Sequence, residues 1–289
     1  MAQDLPFFVN FDPVAISLGP LTIHWYGIAY LLAFIVFWAL GSYRARQRGD
    51  WTPEEVSDLL FYGALGVVLG GRLGYIFFYD LAQVIDDPLR IFAIHKGGMS
   101  FHGGLIGVMV AVAWFGRKTH RGFFGVADFV VPLVPPGLFF GRIANFWGGE
   151  LWGRQSDVPW AMIFPKAIDF ERWSDPALEA AWAAGSLNGE ARHPSQLYQA
   201  GLEGLALFAI LWLYSRRPRP PMAVSGAFLL CYGLFRSFLE QFRQPDDHLE
   251  FIAFGWLTMG QALSLPMIIG GALLMALAYG RNSRGSTNP

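Results

Sequence analysis

Seven apolar runs, near residues 20–42, 57–79, 100–117, 122–146, 195–214, 222–241 and 253–280, constrain this chain more than any other feature. Each approaches the roughly 20 helical residues needed to cross about 30 Å of hydrocarbon. Only 15% of the 289 residues are charged and 54% are hydrophobic, whereas about a quarter of an ordinary soluble domain is charged. The expectation is an all-α polytopic membrane protein of about seven transmembrane helices, built as a single integral membrane domain over 1–289. The run at 100–117 is short and glycine-rich, and the one at 122–146 carries Pro132, Pro135 and Pro136. Both are expected to be irregular and held inside the bundle, because backbone freed by proline needs protein partners in lipid.

Short loops rich in lysine and arginine stay cytoplasmic. Arg44, Arg46 and Arg48, then Arg117, Lys118 and Arg121, then Arg216, Arg217 and Arg219 fall in every second loop, with Arg281 and Arg284 after the last run. Seven spans with that alternation place the N-terminus outside and the C-terminus inside. The stretch 148–194, mixed in charge and polar, reads as a small extracytoplasmic head, and 281–289 as a disordered cytoplasmic tail. Residues 1–20 contain Asp4 and Asp12 but no lysine or arginine, so the first span is expected to act as its own insertion signal. The net charge of -1 and the scattered arginines give no reason to expect nucleic acid as a partner. A single cysteine, Cys231, excludes an intrachain disulfide framework. No repeat of fixed period is visible, and the six histidines show no metal-ligand spacing with cysteine or carboxylate, so neither a metal nor a cofactor is expected.

Arginine within a span costs about 2.5 to 3.5 kcal/mol on insertion scales, which makes each one a functional candidate. Arg72, Arg142 and Arg236 lie in the outer halves of the second, fourth and sixth runs. His102 opens the third run from the same side; His24, Trp25 and Tyr26 open the first. Glu150, Glu240 and Arg243 fall at or beyond outer helix ends. The alternative for Arg72 and Arg243 is snorkelling to headgroups without further role. Asp128 and Glu203 lie deeper or on the cytoplasmic side and read as structural partners.

Three segments carry the chemistry. In Lys96-Gly97-Gly98-Met99-Ser100-Phe101-His102-Gly103-Gly104-Leu105-Ile106-Gly107, free N–H groups at a glycine-lined helix start suit an anion; tight helix packing by small residues is the competing explanation. In Gly141-Arg142-Ile143-Ala144-Asn145-Phe146-Trp147-Gly148-Gly149-Glu150-Leu151-Trp152-Gly153-Arg154, Arg142 and Asn145 share a helix face and offer a guanidinium fork plus an amide to a phosphate diester. Arg236, with Tyr232 one turn away, would close the other side. Arg192-His193-Pro194-Ser195-Gln196-Leu197-Tyr198-Gln199 leads into the fifth run; Ser195 reads as a helix N-cap. Ser195 and His193 lack the elbow of a hydrolase nucleophile. Two arginines at membrane depth imply an anionic, membrane-resident ligand such as a phospholipid headgroup. A transporter of an anion or phospholipid would use the same residues, although the apolar cytoplasmic halves of the spans favour a pocket open to the outer leaflet only.

On these segments, together with His24-Trp25-Tyr26-Gly27, Gly71-Arg72-Leu73-Gly74-Tyr75, Tyr232-Gly233-Leu234-Phe235-Arg236 and Phe242-Arg243-Gln244-Pro245-Asp246, the sequence resembles the prolipoprotein diacylglyceryl transferases of the bacterial inner membrane. The resemblance covers nearly the whole chain in order. It implies transfer of a diacylglyceryl group from phosphatidylglycerol to the lipobox cysteine of a preprolipoprotein, with glycerol phosphate released and the site facing the periplasm. The family's essential arginine pair would fall on Arg142 and Arg236 and its motif histidine on His102. Supporting positions would fall on Tyr26, Gly103, Gly104, Asn145, Glu150, Gly153, Tyr232 and Glu240, with Arg72 and Arg243 unranked. Gly148 stands where an asparagine is common, and Gln199 and Gln244 where glutamates are usual.

Overall fold

The computed structural model describes residues 5–19, 21–92, 97–169, 175–244, 251–253 and 257–285. Of the positions singled out above, Asp4, Lys96, Pro245, Asp246, the side chain of Arg284 and tail residues 286–289 lie outside the described residues. The chain divides into two compact units, one comprising Phe37–Val130 and the other Met1–Val36 with Val131–Pro289.

Three short strands precede the first helix: β1 (Phe7–Phe8), β2 (Val14–Leu18) and β3 (Leu21–His24). β2 and β3 pair antiparallel, and Gly19 takes the positive φ of 61° in their connection, a conformation open to glycine. The first apolar run therefore does not start as a helix: Leu21–His24 is strand, and α1 spans Trp25–Arg48. Arg46 and Arg48 occupy its last turn, where cations suit the helix dipole.

In the unit Phe37–Val130, α2 (Pro53–Tyr75) starts four residues before the apolar run because a capping box fixes it. Thr52 Oγ1 accepts from the Glu55 N–H at 3.2 Å, and the Glu55 carboxylate accepts from the Thr52 N–H at 2.9 Å, satisfying two donors that would otherwise be unpaired. A π-helical turn, Ile76–Asp80, and α3 (Leu81–Asp86) extend it. α4 (Phe101–Lys118) follows, with Ser100 as N-cap accepting from Gly103 N–H, and then α5 (Gly122–Val130).

α2 and α4 meet through glycine. A Cβ placed on Gly66 would lie 2.6 Å from the Gly107 carbonyl oxygen, and one on Gly74 would lie 2.8 Å from Gly103 Cα; Gly70 and Gly103 touch backbone to backbone. Gly103 and Gly107 thus bring two backbones together as small residues do in membranes. At the other end of this unit Trp51 stacks on Phe129 at 4.0 Å between centroids. Arg121 lies over Trp51 at 4.3 Å and grips Glu55 through both terminal nitrogens, at 2.6 and 3.0 Å. Arg44, read from sequence only as a loop charge, is buried with its guanidinium 5.6 Å from the Phe129 ring.

The second unit continues with a 3₁₀ turn, Val131–Leu133, and α6 (Pro135–Trp147), which has Pro135 at a position where no helical donor is needed. The described residues between 148 and 194 are largely irregular and hold β4 (Met162–Ile163), α7 (Pro165–Ile168) and α8 (Pro176–Ala183). β4 pairs parallel with β1, and Ala161, Ile163 and Ala191 form a small core with Phe8, Val158, Ile168, Trp182 and Leu187 against it. Then come α9 (Ser195–Gln199), a second π-helical segment (Ala200–Ala206), α10 (Leu207–Tyr214) and α11 (Ala223–Leu239). Strands β5 (Phe251–Ala253) and β6 (Leu257–Thr258) lead into α12 (Met259–Gly285), which continues through Arg281. α11 and α12 repeat the glycine device: a Cβ on Gly226 would sit 2.9 Å from the Gly271 oxygen.

All seven apolar runs fold as helix over most of their described length, and among the described residues three two-stranded sheets are additions that the all-α reading omits. Among the described residues, four helices are long and apolar enough to cross a membrane, or five if the broken pair Gly122–Leu133 and Pro135–Trp147 counts as one span. α4 and α11 are shorter, at 18 and 17 residues. The chain is a multi-pass helical membrane protein.

Gly107→Ala should force α2 and α4 apart, costing about 1 to 3 kcal/mol as overpacking does, and lower the thermal midpoint in detergent. Gly63→Ala, with nothing within 4 Å of its added Cβ, should leave that midpoint unchanged.

Candidate active site

Arg142 and Arg236 come together on α6 and α11, and the residue between them is Glu203 of the second π-helical segment. Arg142 Nη2 donates to Glu203 Oε2 at 3.2 Å, while Arg236 Nη1 lies 3.9 Å from Glu203 Oε1. Glu203 is fully buried, at 0% exposure. Arg236 also reaches Glu240 one turn on, Nη2 to Oε2 at 2.9 Å, and Glu240 lies 3.9 Å from Arg243 Nη1. The result is one chain of alternating charge, Arg142, Glu203, Arg236, Glu240, Arg243. Removing one member of such a buried pair leaves an uncompensated charge, a loss of about 3 to 5 kcal/mol.

Backbone geometry places these groups. Gly204 follows Glu203 immediately, and a Cβ there would lie 2.7 Å from Phe139 Cβ on α6. Its missing side chain lets the π-helical segment approach α6 closely enough for Glu203 to meet Arg142. π-helical turns recur at functional sites. On the far side, a Cβ on Gly260 would meet the Glu240 carboxyl carbon at 2.6 Å, so α12 closes directly over that carboxylate.

Tyr232 lies within hydrogen-bonding reach of Arg142 and under the influence of Glu203 and Arg236. Tyr26, in the first turn of α1, feels Glu150 and Arg142, and its hydroxyl is 3.3 Å from that of Tyr30. Asn145 is half-buried one turn after Arg142 and accepts the Glu150 N–H through its carbonyl at 2.9 Å. Glu150 pairs with Lys166 Nζ at 3.7 Å. Between the start of α1 and α6 runs an apolar cleft of about 280 Å³, lined by residues that include Trp25, Ala29, Leu32, Phe140, Ile143 and Trp147.

The turn beyond α6 is tied down by the segment that opens α9. Leu151 takes a positive φ of 57°, which costs a residue with a Cβ about 1 to 2 kcal/mol. Ser195 Oγ donates to the Leu151 carbonyl at 2.9 Å, and Gln196 Nε2 donates to the Glu150 carbonyl at 2.6 Å. Ser195 is therefore not the N-cap expected of it: it is the first residue of α9, buried, and its hydroxyl holds a neighbouring turn. His193 contacts the Tyr198 hydroxyl through Nδ1 at 3.1 Å and packs edge-on against Phe242. Burial holds its imidazole below the usual value, favouring the neutral ring. Gly153 donates to the His193 carbonyl at 2.9 Å and forms an antiparallel bridge with Arg243, which joins this turn to the end of the charge chain.

His102, Gly103, Gly104 and Arg72 belong to the unit Phe37–Val130. His102 is exposed at the first turn of α4, beside Phe101. Gly103 and Gly104 are buried against α2. Arg72 does not snorkel. It is 5% exposed and donates to the carbonyls of Ile91 at 3.1 Å, Gly97 at 2.9 Å, Gly98 at 3.2 Å and Arg90, stapling the loop before α4 onto α2.

Glu203, expected from the sequence to be a structural partner, is one, and its partners are the two arginines themselves. Gln196, Gln199 and Glu203 recur at helical spacing as a polar stripe in an otherwise apolar run, and all three are buried. That stripe was the available signal.

A bundle of apolar helices that pairs half-buried guanidiniums with buried carboxylates defines a multi-pass membrane protein with an internal ion-pair network. The prolipoprotein diacylglyceryl transferase family model matches residues 13–277. Proteins named phosphatidylglycerol–prolipoprotein diacylglyceryl transferase from Pseudomonas entomophila and Ectopseudomonas mendocina are each 55% identical over 275 residues, covering 95% of this chain and 96% of theirs. The one from Azotobacter vinelandii is 54% identical over 278 residues, covering 96% and 98%. The chain belongs to the prolipoprotein diacylglyceryl transferase family and is a transferase.

Gly153→Ala would drive a Cβ to 2.5 Å from the carbonyl oxygens of both His193 and Phe242. It should destabilise the protein by about 1 to 3 kcal/mol and depress transferase activity more than tenfold, read as thermal midpoint and initial rate on the same preparation.

Proposed function

We propose that this protein transfers the diacylglyceryl group of phosphatidylglycerol to the lipobox cysteine thiol of preprolipoproteins at the periplasmic face of the bacterial inner membrane. The observation that carries this reading is the pair of half-buried guanidiniums, Arg142 and Arg236, set on either side of the fully buried Glu203. Seven spans with the N-terminus outside and a periplasmic head over 148–194, within one integral membrane domain, follow from the alternation of loop arginines. The arginines at the ends of α1 and α4 support it.

In the reaction a thiolate sulfur forms a bond to the terminal glyceryl carbon of the diacylglyceryl group. The bond from that carbon to the phosphate oxygen breaks, and its electron pair leaves with glycerol phosphate. Free thiols sit near pKa 8.5, so the sulfur needs a base or nearby positive charge. Arg142 clamps the phosphodiester with Asn145 and Tyr232, and Arg236 takes up charge that develops on the departing phosphate, the kind of preorganised donor that stabilises a transition state. Tyr26, Glu150, Gly153 and Glu240 support that pocket, and the cleft between α1 and α6 suits one acyl chain. His102 is proposed as the base on the strength of its motif and its reference pKa, or else as a group that holds the pocket through hydrogen bonds. Gly103 and Gly104 set the position of the helix that carries it; Arg72 sets the loop before that helix.

Purified protein given labelled phosphatidylglycerol and a lipobox peptide should yield thioether product and glycerol phosphate. Arg142→Ala should abolish both, and undiminished product from that variant would defeat the proposal. The nucleophile belongs to the partner, so Cys231→Ala should retain full activity, as should wild-type protein in a strong chelator.

A further inference from the structure

The turn that follows α6 is held in a conformation its own residue does not favour. Leu151 takes a φ of 57°, a left-handed backbone that is strained for any side chain with a Cβ. Gly149, two residues earlier, takes a φ of 62° without that penalty. Packing of the leucine does not offset the strain, because its side chain is 38% exposed. Strain of this kind persists only where the surroundings over-determine it, and it gathers at functional sites.

Three hydrogen bonds hold the turn. Ser195 Oγ donates to the Leu151 carbonyl at 2.9 Å, Gln196 Nε2 to the Glu150 carbonyl at 2.6 Å, and the Glu150 N–H to the Asn145 carbonyl at 2.9 Å. Ser195 and Gln196 are buried, so water does not compete for their bonds. The same helical run grips α6 a second time, where Glu203 accepts from Arg142. Arg142, Asn145 and Glu150 therefore lie on a stretch fixed at both ends, by Glu203 at one and by Ser195 and Gln196 at the other. Glu150 lies within electrostatic range of Tyr26, so the turn carries a carboxylate to the edge of the candidate site.

We propose that Ser195 and Gln196 are positioning residues for the transfer: their hydrogen bonds hold the Glu150–Leu151 turn in its left-handed form, and so fix Glu150 and the outer end of α6 against the lipid phosphate. Both act through the turn and not on the reacting atoms. This deepens the proposed function and rests on it.

The test is a double-mutant cycle on the full chain in detergent, with labelled phosphatidylglycerol and a lipobox peptide as substrates. Ser195→Ala removes one hydrogen bond and lets the strained turn relax. Its kcat should fall about tenfold, the scale on which left-handed backbone is disfavoured for a residue with a Cβ, while KM for the lipid should change by no more than about twofold. Leu151→Gly removes the strain at its source. Made in a Leu151→Gly protein, the same Ser195→Ala change should therefore cost no more than about threefold in kcat. Gln196→Met, which keeps the length of the side chain and loses the donor, should follow the same pattern. Equal losses of kcat in the Leu151 and Leu151→Gly backgrounds would overturn the proposal, as would a Ser195→Ala protein with undiminished kcat or a loss that falls on KM alone. If Ser195→Ala and Gln196→Met fold only when residue 151 is glycine, that recovery supports the proposal; if they fold in neither background, it is overturned. Wild type that forms no thioether would instead defeat the proposed function.

Discussion

A carboxylate fully buried among apolar helices requires partners of opposite charge fixed in place, and Glu203 has two at once, the half-buried Arg142 and Arg236. Everything around it serves the arrangement. Gly204 lets the π-helical segment press against α6, Gly260 lets α12 close over Glu240, and Gly153 lets the turn beyond α6 pass between two carbonyls. A single methyl group would meet Phe139 at Gly204, two backbone carbonyls at Gly153 and the Glu240 carboxylate at Gly260. The ion-pair network thus depends on backbone approach distances as much as on the arginines themselves.

Much of this was legible in the sequence. Arg142, Asn145, Tyr232 and Arg236 were identified by their cost inside apolar runs and by their helical spacing, and the structure groups the two arginines around one carboxylate. Helix boundaries were less legible. The start of α2 was set by Thr52 and Glu55, polar residues that a search for apolar runs passes over. The β2–β3 hairpin was hidden because Leu21 to His24 continues smoothly into an apolar helix, although Val14, Ile16, Thr22 and Ile23 are β-branched and suit strands. Glu203 was legible as a partner but not as the partner of Arg142 and Arg236: single-residue depth assumes a regular helix, and this segment is π-helical.

The glycine-rich segment around His102 shows how one motif can serve two ends. Its N–H groups looked available to an anion, yet Ser100 occupies that of Gly103, and Gly103 and Gly107 are spent on contact with α2. Arg72 likewise directs its guanidinium to four backbone carbonyls. Both groups are thus committed to packing and to backbone contacts around the start of the helix that carries His102.

The π-helical segment at Ala200–Ala206 has a consequence for how this protein can change in length. Upstream, Ser195, Gln196 and Gln199 face inward; downstream, Leu207 and Leu211 are fully buried. The wider turn takes up slack between those two inward faces. Each residue of an α-helix advances about 100°, so excising a single residue here would swing one buried face outward even if the helix became more regular. The segment therefore acts as a frame marker: substitutions elsewhere in this span can be absorbed locally, but an insertion or deletion across it changes which side chains meet the arginines.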